Sequence, residues 1–562
     1  MDASAKIPQL GTAHAYLEHW AKNTPDKVAL VQHETGLETT YAQLNELVDL
    51  YTLALIKLGV AGGDRVAVMG QQSAQCLAVQ YACFKMGAII CPIDVKLKPH
   101  EAVRNLDKIR PVVFIMLGDS YCKNFYSVNA AVTEKCPYIR HIFFHSLDGT
   151  GEAAPGTRDA DILFDLNNLL SLRDDGDLAR KRNKVCHDVS ERNDALIIFT
   201  TGTTGEPKPA LLGHKCIVAQ MNIFMRATTM PPQEMIRLCI LPCSHVGGTT
   251  MTVYTTIMGG GTNVLLYQFH PVSALKAVEV RRANFIGAVP TMYRMMWSVP
   301  DYDKFDLSSL DCVYYAGSMG DIDFLNRLAR MAPHFGTCLG MTECGGAGTY
   351  TPMPISVETL HGQVGSADES VAEISIREPM LPDGRAGAEK AFGDEGEICY
   401  HPPLVFSGYF GMPEEKIVSS EGILYSGDMG YFKDTGGRKA VYYLARKKFI
   451  IKSKGYNVFP DEVSAYIMRY PGVSLAEVLG VRHSTFDEGV LAFVLPEPGA
   501  SLDADDLMRH CKGLVAYKRP SYIKIWDEGV FPMTNNGKPD KKVLAAKAEE
   551  IVSLLRGRGL WD

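Results

Sequence analysis

Apolar residues recur at helical spacing from Tyr41 to Leu58 and stop near Gly59. A short apolar run follows over Arg65 to Met69, then a second helical stretch over Cys76 to Met86, then a buried-strand pattern at Gly87 to Pro92. Strand, helix and strand in this order predict parallel sheets covered by helices. The rhythm returns downstream. Ala195 to Phe199, Ile236 to Leu241, Asn263 to Tyr267, Phe285 to Val289 and Cys312 to Ala316 all read as strands. His245, Pro290, Gly317 and Gly340 fall just past strands of this kind, where loops of a parallel sheet converge on one edge and ligands sit. Between Gly149 and Asp161 the chain is polar and aperiodic, which predicts a surface excursion. After residue 390 the runs shorten and turns multiply, as in antiparallel sheet. The basic run Arg446-Lys447-Lys448 falls where a linker to a small C-terminal domain would lie. Beyond it, Glu462 to Tyr470 reads as helix and Leu475 to Val481 as strand.

With 562 residues the chain exceeds one ordinary core, so two or more domains are expected. A formal net charge of −7 argues against a nucleic-acid binder. Fourteen cysteines without a Cys-x-x-Cys pair suggest free thiols and a reducing cytoplasm. Cys239, Cys243 and His245 come closest to a metal cluster, but their apolar segment speaks for structural roles. No apolar stretch approaches about 20 residues, so no membrane span is expected.

The segment with the clearest chemistry is Phe199-Thr200-Thr201-Gly202-Thr203-Thr204-Gly205-Glu206-Pro207-Lys208. Glycines let backbone N–H groups approach an anion, hydroxyls donate to its oxygens, and lysine adds charge. The pattern suits a polyphosphate. It is not a Walker loop, since no Gly-Lys-Ser/Thr opens a helix at the required spacing.

Four further segments follow in order: Gly340-Met341-Thr342-Glu343, Tyr425-Ser426-Gly427-Asp428, Arg446 to Pro460, and Asn536-Gly537-Lys538. Together with the threonine loop they resemble the adenylate-forming superfamily of acyl- and aryl-CoA synthetases, peptide-synthetase adenylation domains and firefly luciferase. The resemblance covers nearly the whole chain. It implies an α/β fold: a large N-terminal domain of helix-covered mixed sheets with a small β-barrel-like subdomain (1–446), and a mobile α+β C-terminal domain (447–562).

The resemblance also implies roles. Thr200, Thr201, Gly202, Thr203, Thr204, Gly205 and Lys208 form the phosphate loop, with Pro209 where relatives usually have glycine. Glu343 is the expected Mg²⁺ ligand, a hard oxygen donor near the phosphates. Thr342 contacts the α-phosphate. Asp428 and Arg446 hold the ribose. Adenine lies near Gly317 and Ser318, beside Leu339 where relatives usually carry an aromatic. Lys538 is the catalytic lysine, since cationic clamps stabilise a transferring phosphoryl group. Lys448 is the hinge. Rotation about it replaces Lys538 with Lys454-Gly455-Tyr456, where Gly455 leaves room for a pantetheine arm. His245 gates the acyl pocket, whose walls are expected to include Val246, Gly248, Val289, Ala316, Gly317, Gly340 and Met341.

The implied activity is an AMP-forming carboxylic acid–CoA ligase using ATP, Mg²⁺ and coenzyme A. Its acid is expected to be aromatic, alicyclic or medium-chain, and the enzyme a cytoplasmic monomer or homodimer that binds no nucleic acid. One alternative acceptor is the phosphopantetheine of a carrier protein. Amino-acid-selecting relatives usually carry an aspartate near the histidine segment, and Ser244-His245-Val246 has none. A luciferase-like oxygenase would need a luciferin pocket. A non-catalytic nucleotide sensor would be expected to have lost some of Glu343, Asp428 and Lys538.

Overall fold

The computed structural model describes residues 7–118, 124–147, 166–200, 206–453, 456–485, 487–534 and 539–561. The helix expected from Tyr41 spans Tyr41–Lys57. Thr40 and Gln43 close its N-terminus in a reciprocal capping box, which satisfies two otherwise orphaned N–H groups. Ala74–Met86 is capped by Ser73 and ends at Gly87, whose φ of 73° is cheap only for glycine.

Three sheets organise the chain. In the seven-stranded sheet, Arg65–Gly70, Ile89–Ile93, Val113–Gly118, His141–Ser146 and Asp194–Phe199 run parallel. Pro209–Gly213 then turns back antiparallel to Asp194–Phe199, and Gly408–Tyr409 pairs on its far side. Antiparallel pairing of Pro209–Gly213 reflects the short return from the threonine loop, too short for a crossover helix.

The thirteen-stranded sheet has two halves. Val28–Gln32, Thr262–Leu265, Ile236–Cys239, Phe285–Ala288, Cys312–Tyr315 and His334–Leu339 are parallel, with Glu38–Thr40 antiparallel at the edge beside Val28–Gln32. From His334–Leu339 onward the pairing is antiparallel, through Thr349–Tyr350, Gln363–Ser366, Lys439–Arg446, Leu424–Asp434, Gly396–Tyr400 and Ile374–Arg377. This is where the barrel-like portion is expected. Among the described residues it continues the large sheet and closes no barrel. The helix His214–Ala227, buried along most of its length, packs in the main core.

Lys439–Arg446 belongs to the large sheet, and Ile451–Ser453 already belongs to the third. That five-stranded sheet is built on the long hairpin Val473–His483 and Asp487–Pro496, with Tyr522–Ile525 parallel to it. Pro460–Ile467 and Lys541–Gly557 pack on it around two hydrophobic clusters of their own. No described helix is long and apolar enough to cross a membrane. Every described cysteine is a free thiol.

Candidate active site

A cleft of ≈ 2860 Å³ runs along the C-terminal edge of the parallel strands and is lined from the other side by residues of the five-stranded unit. Thr200, Lys208, Thr342, Glu343, Asp428 and Arg446 all line it. So do His245 and Val246, Val289 and Ala316, Gly317 and Ser318, Gly340 and Met341, and Lys448. The expected edge is therefore the observed one, because these residues follow strands that share a direction.

Local backbone explains several placements. Gly317 follows Cys312–Tyr315 with φ of 94°, a region closed to most side chains. A Cβ on Gly340 would lie 2.1 Å from the Gly346 carbonyl oxygen, so only glycine permits the turn that presents Thr342. Thr342–Cys344 forms a single helical turn.

Glu343 is held at two points. Its carbonyl oxygen accepts from the Phe406 N–H at 2.9 Å, and its Oε1 accepts from the Tyr409 hydroxyl at 2.5 Å. Burial and the neighbouring Glu343 charge push the Tyr409 phenol well above its usual range. Tyr409 itself pairs with Ala210 on the strand that leaves the threonine loop, so the loop exit and Glu343 share one support. Pro209 heads that strand: proline has no N–H to donate, and its oxygen accepts from the Phe410 N–H at 2.8 Å. Lys208 Nζ lies 2.6 Å from Glu415 Oε2 and 5.2 Å from the centre of the Tyr409 ring.

Asp428 and Arg446 are direct cross-strand partners, with Arg446 Nη1 3.3 Å from Asp428 Oδ1. The Arg446 guanidinium also donates to the Ser426 carbonyl at 2.5 Å. Burial acts to lower the pKa of Arg446, but Asp428, Tyr443 and Glu343 outweigh it and hold the group above its usual range. One buried carboxylate and one cation thus stand beside Glu343 with their geometry fixed by the sheet.

His245 lies in the connection after Ile236–Cys239. Its Nδ1 accepts from the Gly247 N–H at 3.0 Å, which puts the ring proton on Nε2. The cysteines near it are engaged otherwise: Cys243 donates to the Gly70 carbonyl and Cys239 to Asn263 Oδ1.

One expectation fails. Gly248 is not a pocket wall: it packs against the Leu241–Pro242 backbone, where a Cβ would lie 2.1 Å from the Pro242 oxygen. Gly247 lines the cleft instead. Tyr456 lies outside the cleft, 57 % exposed, stacked on Tyr517 with ring centres 4.4 Å apart. Thr201, Gly202, Thr203, Thr204, Gly205, Lys454, Gly455 and Lys538 lie outside the described residues. The residues flanking the last of these, Thr534 and Pro539 to Lys542, line the cleft.

Tyr409, Glu415 and Arg237 are cleft or near-cleft residues that the motifs do not reveal. Tyr409 carries the one visible signal, an aromatic in the Ser-Gly-Tyr-Phe-Gly turn.

The fit to a magnesium ion rests on Glu343. Among the described residues no three His, Cys, Asp or Glu side chains converge on one point. A buried carboxylate suits Mg²⁺, which usually takes one or two carboxylates and fills its octahedron with phosphate oxygens and water.

The family model for AMP-binding enzymes matches residues 17–410, and that for the AMP-binding enzyme C-terminal domain matches residues 462–538. The chain belongs to the AMP-binding enzyme family. It is 28% identical over 522 residues to the feruloyl-CoA synthase of an Amycolatopsis species, covering 92% of this chain and 95% of that one. It is 25% identical over 569 residues to the mitochondrial medium-chain acyl-CoA ligase ACSF2 of Bos taurus, covering 96% and 88%. In fold it superposes on ATP-bound MatB from Rhodopseudomonas palustris with a TM-score of 0.79, at 23% identity and 97% and 100% coverage.

Proposed function

We propose that this protein is an ATP-dependent carboxylic acid–CoA ligase. The observation that carries this reading is the convergence on one cleft of Lys208, Thr342, Glu343 and the Asp428–Arg446 pair, faced by Pro539 to Lys542 of the C-terminal unit. Similarity to proteins named as CoA synthases and ligases supports CoA as the acceptor. No observation favours a carrier protein.

In the first half-reaction a carboxylate oxygen attacks the α-phosphorus of ATP. The bond to the bridging oxygen breaks, and pyrophosphate leaves with its electrons. Two anions must meet, so the site has to screen charge and hold the attack in line. Thr200 to Lys208 cradles the phosphates. Thr342 donates to the α-phosphate, and Asp428 accepts from the ribose hydroxyls while Arg446 keeps it oriented. Gly317 and Ser318 flank adenine, with Leu339 packing where an aromatic would stack. Lys538 stabilises the charge that develops on the transferred group. A bound Mg²⁺ would supply charge neutralisation, and Glu343, oriented by Tyr409, would be its protein ligand.

In the second half-reaction the CoA thiol, losing its proton, attacks the acyl carbonyl and AMP leaves. Residues 1–446 would form the adenylation domain and 447–562 the mobile domain, pivoting at Lys448 in the turn Lys447–Phe449. Exposure of Tyr456 and the inward position of Pro539 to Lys542 suit the adenylating orientation. Rotation would bring Lys454 to Tyr456 to the cleft and open the thiol path past Gly455.

Pyrophosphate release over an acid panel, with and without CoA, tests the reading. Acid-dependent release followed by CoA-dependent AMP formation is expected. Release indifferent to every acid would refute it.

A further inference from the structure

Arg237 is the anomaly of the cleft. It sits on Ile236–Cys239, is 4 % exposed, and lines the cavity. Its Nε and Nη1 are buried with no hydrogen-bond partner. Its guanidinium lies between two rings, 4.8 Å from the centre of Phe224 and 4.5 Å from that of Phe285. The titratable groups facing it are Tyr293, Tyr314, Tyr350, Cys239, Cys312 and Cys338, all of whose pKa values are raised by burial, so each is neutral. Among the described residues no carboxylate pairs with it.

Cation–π contact returns part of the lost hydration, but buried donors left unmade remain costly. An uncompensated buried cation is destabilising even after the surroundings relax. Such a group persists where something else completes it.

The direction of the side chain says where that partner would come from. Arg237 is in register with Phe285, and Gly287 is the next residue on the same strand face. A Cβ on Gly287 would meet Arg237 Nη2 at 3.2 Å, so the guanidinium leans along the strands toward the edge that carries Val289 and Ala316. At about 3.3 Å per residue, Gly287 lies roughly 7 Å below Val289. Gly287, Tyr314 and Arg237 together line this inner part of the cleft.

We infer that Arg237 is a specificity residue that receives a second carboxylate at the far end of the acyl group, so the acid activated here is a dicarboxylic acid. The inference rests on the ligase reading and narrows its substrate class away from simple aromatic, alicyclic or medium-chain acids. A bidentate guanidinium–carboxylate pair would satisfy the orphaned donors and neutralise the charge in one contact.

The test uses matched pairs: succinate against butyrate, adipate against hexanoate, suberate against octanoate. ATP–pyrophosphate exchange is expected to favour the best diacid over its partner by about 100-fold in kcat/KM. Arg237→Met should bring that ratio close to unity, and Arg237→Lys should restore part of it. Thermal shift with the same pairs needs no turnover: the diacid should stabilise the wild type and not Arg237→Met. If the monoacids match or beat the diacids in wild-type exchange and in thermal shift, the inference is overturned while the ligase reading stands. An ω-hydroxy acid that matches its diacid would overturn the second carboxylate. Diacid-dependent stabilisation without any exchange would support the binding site and refute the ligase reading. Should Arg237→Met fail to fold, the wild-type ranking of the pairs decides.

Discussion

The Tyr409 hydroxyl donates to Glu343 Oε1 at 2.5 Å, tying the strand that leaves the threonine loop to the carboxylate proposed as the Mg²⁺ ligand. Removing that donor leaves Glu343 free to rotate without removing its charge. Tyr409→Phe should raise KM for Mg·ATP by about 10-fold, the worth of one charge-assisted hydrogen bond, with a smaller change in kcat. Titrating Mg²⁺ at fixed ATP checks it. An unchanged Mg²⁺ dependence would remove Glu343 from the metal.

Lys208 is paired with Glu415 at 2.6 Å, and ATP would have to win the lysine from that partner. The pair is partly exposed, so the competition is worth about 1 kcal/mol. Glu415→Gln should lower KM for ATP by roughly 2- to 5-fold, and more at low salt than at high salt. A rise in KM would mean that Glu415 positions the lysine.

Lys538→Ala should cut adenylate formation by about 100- to 1000-fold, the usual cost of losing one preorganised donor to transition-state charge. Thioester formation from a supplied acyl-adenylate should survive. Rapid-quench measurement of each half-reaction separates the two, and equal loss in both would contradict the division of labour.

His14 and His214 face each other in the main core, ring centres 5.9 Å apart. Burial, then the charge of Lys85, lowers His14 to about 4, while burial and then His14 lower His214 to about 3. The unfolded chain binds these protons more readily, so the stability they contribute is complete above about pH 6.5 and falls as the pH drops toward 4. Between pH 6.5 and 5 the loss should be about 2–4 kcal/mol. Urea melts across that range test this, and a His14→Gln, His214→Gln pair should flatten the slope even if it lowers the plateau.

The motifs were readable because each asks several adjacent residues to serve one ligand. Thr200 to Lys208 and Gly340 to Glu343 carry their chemistry within one turn, and the strands before them carry it to a common edge. Tyr409 meets Glu343 across 66 positions and Glu415 meets Lys208 across 207, so no local pattern announces either. Arg237 was hidden differently: one cation inside an apolar strand reads as a solvated edge until the flanking rings are seen. Gly248 misled because a small residue beside His245 suggests space, whereas here it serves backbone packing.

Acid activation ahead of CoA transfer is tested most directly by a single-turnover experiment. Enzyme in excess is mixed with labelled ATP, Mg²⁺ and the preferred acid without CoA, then chased with CoA, and samples are quenched before and after the chase. A burst of acyl-adenylate and pyrophosphate in equal amounts is expected, with the adenylate persisting until CoA is added and then converting to thioester and AMP. ADP formation, or AMP released at the same rate without acid, would contradict it.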